Sequence, residues 1–325
     1  MAKRNRSSAG SAPQTVTDPH HATTAYEFLE ALSLRSAHLR NSNWIFRGHA
    51  HEDYQLVPLA LRAAAAFKKR YFDRKHTEGQ IEGEFKLLSE FFDIADQHMV
   101  LPPDVGDQVR KFFRPGGKGL FEKIGGGECS WVPDELLYLA AVAQHYGIPT
   151  RLLDWTRHPF IAAYFAASEI VREGVKDDAC LVVWALNMTR YDVRQEEIDL
   201  AVLRRDRHVP DQPIRVVTVS ATGNANLHAQ RGVFTLFRPA HIALSVPVDR
   251  RPLDDVMRDL AIKGQITKDE WLKSFTLPRR QAGALMTLLE SEGITAASIF
   301  PGLRGAATAL HERLQSNNFS IDARV

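Results

Sequence analysis

The stretch Gln144-His145-Tyr146-Gly147-Ile148-Pro149-Thr150-Arg151-Leu152-Leu153-Asp154-Trp155-Thr156, followed by His158-Pro159-Phe160 and Ala162-Ala163-Tyr164-Phe165-Ala166, decides how the chain is read. Upstream of it, Pro133-Asp134-Glu135 opens a helix, since proline presets the first-turn dihedral and two carboxylates complement the helix dipole. Leu136, Leu139, Ala140 and Ala143 keep its register, and Gly147 is placed to end it. After Pro149 the run Arg151 to Trp155 reads as a buried strand. Thr156 is expected to cap a helix from about Pro159 to Val171. Acid-base, stacking and hydrogen-bonding side chains thus gather at one helix end and one strand-to-helix junction, as they do at sites held by a rigid scaffold.

Outward from this block, Tyr26, Phe28, Leu29, Leu32 and Leu34 predict a helix from Thr23 to about Leu39, and Asn43 to Arg47 a short strand. Ile81, Phe85, Leu88, Phe91, Phe92 and Ala95 predict a second amphipathic helix, with Pro102-Pro103 beyond it. The glycine-rich stretch Arg114 to Gly127 reads as a loop. Further strands are expected at Ala179 to Leu186, Ile214 to Val219, Val233 to Phe237 and Ile242 to Val248. Further helices are expected at Gln195 to Arg204, Pro252 to Ile262 and Arg279 to Ser291. Helices and strands mix without strict alternation, which predicts an α+β fold: a mixed or antiparallel sheet core flanked by helices. Residues 1–22 lack periodicity and large apolar side chains and are expected to form a flexible tail; no linker divides 23–325.

Composition excludes several classes. With 44% hydrophobic and 25% charged residues the chain is ordinary globular material, not collagen, wholesale disorder or coiled coil. Lysine and arginine number 41 against 39 acids, a net charge of +2, so no broad electrostatic pull on nucleic acid or anionic membrane is expected. No apolar run approaches the roughly 20 residues of a membrane helix, and the N-terminus lacks a signal-peptide apolar region. Two cysteines, Cys129 and Cys180, fit a reduced, cytoplasmic protein.

Three segments carry chemistry. In Trp44-Ile45-Phe46-Arg47-Gly48-His49 a guanidinium stands at a strand end where Gly48 admits a ligand to the backbone, an arrangement suited to phosphate or carboxylate; a buried ion pair is the structural alternative. The central block offers His145, Tyr146, Thr150, Arg151, Asp154, Trp155 and Thr156, with local salt bridges and core packing as the plainer reading. Asn226 to Thr235 again places polar groups, Gln230 among them, and Gly232 before an apolar strand. His49 and His51 alternate on a strand near Glu52 and Asp53, the basis of a metal-site alternative, although no metal is expected from so common a spacing. P-loop, dinucleotide-fold, nucleophile-elbow and zinc-helix signatures are missing from the sequence.

These residues, in this order, resemble the FRG-domain family of bacterial and phage proteins, named for the tripeptide that is Phe46-Arg47-Gly48 in this chain. The block from Ala143 to Ala166 is similar to the family's second motif, and Gln230, Gly232 and Phe234 to a third. The resemblance spans about residues 24–240 and would extend to Phe300-Pro301-Gly302-Leu303 as a tail element. It implies an FRG domain over 23–325, with core motifs in 44–240 and a C-terminal extension in 241–325. At position 49 many relatives carry glutamine where this chain has His49.

By position, the order of elements is also similar to that of ADP-ribosyltransferases. The similarity implies NAD as co-substrate, with Arg47, Asp154, Gln230 and His145 in catalytic positions. Phe46, Gly48, Tyr146, Thr150, Arg151, Trp155 and Thr156 would lie around the nucleotide, and a protein or nucleic acid would be the acceptor. A setting in bacterial defence or toxin systems is implied by the family. The rival expectations are a metal-assisted phosphoesterase or nuclease built on His49, His51, His145 and Asp154, and a non-catalytic domain that binds a nucleotide, nucleic acid or protein.

Overall fold

The computed structural model describes residues 16–40, 42–62, 71, 75–98, 100, 103–113, 120–126, 129–175, 177–191, 214–218, 225–238, 244–266 and 270–322. Seven strands form one mixed sheet: β1 (His20–His21), β2 (Trp44–His49), β3 (Leu152–Thr156), β4 (Cys180–Asn187), β5 (Ile214–Val217), β6 (Gly232–Phe237) and β7 (Leu272–Pro278). Their order is β1-β7-β4-β2-β3-β6-β5, antiparallel except for the β1–β7 pair. The helices are α1 (Ala25–Leu32), α2 (Thr77–Gln97), α3 (Pro103–Phe113), α4 (Leu120–Gly125), α5 (Asp134–His145) and α6 (Pro159–Glu173) in the first half of the chain. After them come α7 (Ala225–Ala229), α8 (Leu253–Ile262), α9 (Ala282–Ser291), α10 (Ala296–Ile299) and α11 (Leu303–Asp322). The expected α+β class holds, with helices against both faces. No helix among the described residues is long and apolar enough to cross a membrane.

The sheet is nearly two sheets. β2 pairs with β4 along its whole length, from Trp44 opposite Asn187 to His49 opposite Val182, and β3 pairs with β6 from Leu152 to Thr156. Between β2 and β3 the register holds at one place, Phe46 opposite Thr156. Alternation then assigns the faces. Trp44, Phe46 and Gly48 share a face with Leu152, Asp154 and Thr156, while Ile45, Leu153 and Trp155 point the other way.

On the first face α1, α6 and α9 cover the β2-β4-β7 half through Phe28, Ala162, Ala166, Leu181, Phe275 and Leu285. The helices α2 to α5 cover the β3-β6 half through Ile81, Leu136, Ala140, Leu152 and Phe234. α8 covers the opposite face, packing Val256 and Met257 on Ile45, Leu153 and Trp155. The two helical groups on the first face leave a cleft over the junction of β2 and β3.

Small residues let α6 sit low on that junction. Ala162, Ala163, Ala166 and Ala167 are fully buried, and the Gly48 backbone approaches the helix so closely that a Cβ would stand 1.9 Å from the Ala162 carbonyl oxygen. The helix starts at Pro159, and the His158 ring accepts from the Phe160 N–H at 3.3 Å. Thr156 is therefore not the cap. Its hydroxyl donates to the Gln230 carbonyl at 2.7 Å and accepts from the His158 N–H at 3.1 Å, closing the turn between strand and helix.

A buried polar knot ties the helical layer to β3. Glu84 on α2 accepts from Arg151 Nε at 2.7 and 2.9 Å, from Trp131 Nε1 at 2.6 Å and from Gln80 Nε2 at 2.8 Å. Three donors on one carboxylate, one of them shared between both oxygens, offset the desolvation that would otherwise keep a charge out of the core.

Several expectations change. The residues just before Ala22 are not a free tail: Val16 is buried and bridges to Leu272, and β1 pairs with β7 as the edge strand, so a backbone ladder orders what the side chains alone would not. Of the expected strand at Ile242 to Val248, the described part is a turn with one bridge, His76 to Pro247; the first two residues lie outside the described part. The glycine-rich stretch contains α4, held by Leu120 and Ile124 against the α2–α5 cluster. The helix expected at Gln195 to Arg204 falls outside the described residues. β7, α3 and α11 were not anticipated.

Gly48→Ala must push α6 off the sheet, so it is expected to destabilise the fold by about 3 kcal/mol or more. Urea unfolding followed by circular dichroism measures this; a midpoint equal to wild type would mean the helix is not held by this approach.

Candidate functional site

The cleft over the β2–β3 junction has a volume of about 440 Å³, within the range of small-ligand sites. Its floor is Phe46, Gly48, Thr156 and Phe234; one wall comes from α5 and β3, with Gln144, His145 and Asp154. The other wall comes from α6 with Phe165, Ser168, Glu169 and Arg172, and Gln230 and Phe300 close the ends.

Arg47 enters through the split in the sheet. By alternation it belongs to the opposite face, yet its guanidinium lines the cleft and Nη1 donates to the Asp154 carbonyl oxygen at 2.8 Å, with the Asp154 carboxylate at 3.5 Å. The side chain takes a backbone acceptor where β2 and β3 have ceased to pair. Nε donates to His49 Nε2 at 2.8 Å, and Nη2 has no hydrogen-bond partner among the described residues. Arg47 is 17% exposed at its side chain and Asp154 52%, so the pair is held on its protein side and open on its ligand side.

His49 fixes the arginine. Its Nε2 accepts a hydrogen bond from Arg47 Nε, so Nδ1 must carry the ring hydrogen and donate to the Tyr54 carbonyl at 2.9 Å, which defines the neutral tautomer. Burial, then the charges of Arg47 and Arg62, push the His49 pKa down to about 3. Arg62 itself is lowered by burial and by Arg47, with Asp154 opposing. Arg62 thus lies within electrostatic reach of both Arg47 and Asp154 without pairing with the carboxylate.

Asp154 is aimed by Gln144. Its Oδ2 accepts from Gln144 Nε2 at 2.9 Å; the same amide nitrogen holds the Leu152 carbonyl at 3.0 Å, and Thr150 Oγ1 donates to Gln144 Oε1 at 2.6 Å. Thr150 thus acts on the amide behind the site. His145 lines the cleft, and burial lowers its pKa against the pull of Asp154, which favours the neutral ring. Gln230 is brought in by a turn in which Arg231 adopts φ 50°, a left-handed conformation uncommon for a residue with a Cβ, before Gly232 starts β6.

The structure brings Arg47, Asp154, Gln230 and His145 to one cleft, with Phe46, Gly48 and Thr156 beneath them. Three residues expected at the nucleotide, Tyr146, Thr150 and Arg151, do not line the cleft. Arg151 is committed to Glu84 behind β3. Tyr146 is 67% exposed at the end of α5 and does not line the cleft. Trp155 touches the cleft but is only 3% exposed: alternation turns its side chain to the opposite face, where the indole N–H donates to Thr235 Oγ1 at 2.8 Å.

The sequence reading passed over Gln144, although it stands inside the quoted block, and Phe165, Ser168, Glu169 and Arg172. Their spacing along α6 places them on one stripe, and only the position of the helix turns that stripe toward the cleft.

The metal alternative finds little geometric footing. Both ring nitrogens of His49 are engaged, and His51 faces Asp53 and Asp177 at 3.6 and 3.7 Å. No group of three or more His, Cys, Asp or Glu residues gathers for a metal among the described residues.

The depressed pKa of His49 makes stability pH-dependent. Between its ordinary 6.5 and about 3 the unfolded chain binds a proton that the folded chain does not, so the contribution is whole above about pH 6.5 and is lost as pH falls. Up to about 5 kcal/mol is at stake over that window. Melting curves from about pH 7 to about pH 4 are expected to fall less steeply in His49→Gln, whose amide accepts from Arg47 and donates to Tyr54 without titrating. Equal slopes would remove His49 as the cause.

Comparison with known proteins gives one family. No curated protein and no solved structure matches the chain. Residues 42–174 match the model of the FRG domain, a span that runs from β2 through α6 and holds Arg47, Gln144, Asp154 and the α6 wall, while Gln230 and Phe300 are added from outside it. With its arginine, its aimed carboxylate and its covering helix all inside the matched span, the chain carries an FRG domain.

Proposed function

We propose that the cleft binds a phosphate-bearing nucleotide, with NAD as co-substrate, and transfers its ADP-ribose group to an acceptor. The observation that carries this reading is the Arg47–Asp154 pair: a guanidinium fixed on its inner side by His49 and the Asp154 carbonyl, with Nη2 unpartnered among the described residues, beside a half-exposed carboxylate. A pyrophosphate is the natural partner of Arg47 Nη2, because a guanidinium meets phosphate oxygens in fork geometry. Asp154 Oδ2 and Gln230 then face the ribose.

The reaction asks mainly for charge and alignment. The bond from the ribose anomeric carbon to the nicotinamide nitrogen breaks, its electron pair leaving with nicotinamide. The acceptor's lone pair forms the new bond, and its proton passes to a carboxylate. Asp154, oriented by Gln144, stabilises the cationic ribose. Glu169, on the α6 wall, is a second carboxylate and the base that takes the acceptor's proton, which answers the uncharged Gln230 in the third motif. Neutral His145 is a further base in reach of the cleft.

Calorimetry with NAD and an assay of nicotinamide release test the reading. Arg47→Ala is expected to weaken NAD binding roughly 100-fold. Asp154→Asn should leave binding within a few-fold but lower nicotinamide release roughly 100-fold. Both variants should keep the wild-type circular dichroism spectrum. Wild-type protein that neither binds NAD nor releases nicotinamide, with or without lysate as acceptor, would discard the transferase. NAD binding without turnover would leave a non-catalytic nucleotide-binding domain.

A further inference from the structure

The rim of the cleft beside Gln230 and Phe300 carries arginines that meet no acid. Several surface arginines elsewhere are paired: Arg110 with Asp96 and Asp107, Arg251 with Asp249 and Asp259, Arg258 with Asp254 and Asp255. Arg157, Arg231 and Arg304 are exposed, and their side chains have no hydrogen-bond or ion-pair partner among the described residues. The fold gathers the three. Arg157 follows Thr156 and Arg231 follows Gln230, both lining the cleft, and the Arg157 N–H donates to the Arg231 carbonyl at 3.1 Å. Gly305 packs so closely on Phe300 that a Cβ would stand 1.8 Å from the Phe300 carbonyl oxygen, which fixes Arg304 beside that ring. α7, leading into Gln230, touches α10, leading into Phe300, so the two margins of the cleft adjoin.

The sequence makes this rim one-signed. The chain has 39 acids, yet 155–168, 225–238 and 296–311, the segments that build the rim, hold no aspartate or glutamate. The carboxylates directly adjoining these segments in sequence are turned inward: Asp154 and Glu169 line the cleft, and Glu312 is 2% exposed and accepts from the Tyr164 hydroxyl. His158 feels the surplus, its pKa held below the ordinary value by burial and then by the charge of Arg231. A net charge of only +2 for the whole chain thus conceals a local positive field, while many charges elsewhere cancel in pairs.

Charge and rings together decide what fits. Guanidinium forks match phosphate oxygens, and three of them in a row suit an anion whose charge repeats. Phe165 and Phe300, both half-buried on the cleft wall with ring centroids 6.1 Å apart, offer an aromatic surface at the same rim. Bases stack on such rings without regard to sequence. A duplex keeps its bases out of reach of so narrow a cleft, and an acidic peptide has no base to stack. We infer that the rim docks single-stranded nucleic acid, its phosphates on Arg157, Arg231 and Arg304 and one base against Phe300. The docking is independent of the NAD reading, since it needs no turnover in the cleft.

The probes are fluorescein-labelled dodecamer strands of DNA and of RNA, followed by anisotropy with the full chain, beside the duplex of the same sequence and a glutamate dodecapeptide. At least one strand is expected to bind saturably and roughly tenfold tighter than duplex or peptide, and the tighter strand names the source. With three phosphates neutralised, affinity should fall with a log-log salt slope of about −2, a roughly 20-fold loss from about 50 to about 200 mM salt. The double variant Arg157→Ala/Arg304→Ala, which removes no hydrogen bond or ion pair among the described residues, should lower the slope by about 1.4. Arg35→Ala/Arg40→Ala takes the same charge from exposed positions after α1 and should bind as wild type does. Phe300→Leu keeps an apolar contact with Phe165 and should weaken strand binding roughly tenfold with the slope unchanged. The assignment is overturned by no saturable binding of either strand, by duplex or peptide bound as tightly, or by an unchanged slope in Arg157→Ala/Arg304→Ala. An equal loss in Arg35→Ala/Arg40→Ala, or wild-type affinity in Phe300→Leu, would overturn it too.

Discussion

Beyond the pair Phe46–Thr156, β2 and β3 stop exchanging hydrogen bonds, and the Asp154 carbonyl is taken by an arginine side chain instead of a strand. Much else depends on that substitution. A sheet that closed fully would leave Arg47 on the face its register dictates, and the cleft would be bounded by α6 alone. Because Arg47 crosses the split, its charge reaches the cleft while its Nε stays tied to His49 on the other side. Gly48, next in sequence, lets α6 settle against the strand end and supply the far wall.

The site is supported from behind by two polar arrangements of different kinds. Thr150, Gln144 and Asp154 form a short relay in which the Gln144 amide is held by Thr150 and the Leu152 carbonyl, so the carboxylate has a preferred direction before any ligand arrives. Glu84 instead concentrates four hydrogen bonds from Arg151, Trp131 and Gln80 on one buried carboxylate. That knot fixes where β3 begins relative to α2. Removing one partner would leave a charge buried without compensation, the costly case for such pairs.

β3 is the element shared by everything of interest. Five residues long, it carries Asp154 and Thr156 toward the cleft, Leu153 and Trp155 toward the α8 layer, and Arg151 at its entry into the Glu84 knot. Strand periodicity alone sends alternate residues to opposite faces. Two neighbouring polar residues of one motif, Arg151 and Asp154, therefore serve the knot and the cleft respectively.

The sequence by itself determined the local order: the helix closing at Gly147, the strand through Leu152 to Trp155, the proline-started helix after it, and the Phe46-Arg47-Gly48 strand end, all written in periodicity and in proline and glycine placement. It also marked Arg47, Asp154, His145 and Gln230 as polar groups at element ends. Partners distant in sequence were beyond it. Nothing near Arg151 announces Glu84, nothing near Trp155 announces Thr235, and the stripe of Ser168, Glu169 and Arg172 looks like any helix surface. Only the tertiary structure decided that Arg151 leaves the cleft and that the Trp155 ring is buried behind it, while Glu169 joins it. Which groups share a cavity depends on where helices dock on the sheet and where β2 and β3 part. Those are long-range packing outcomes that no local pattern encodes.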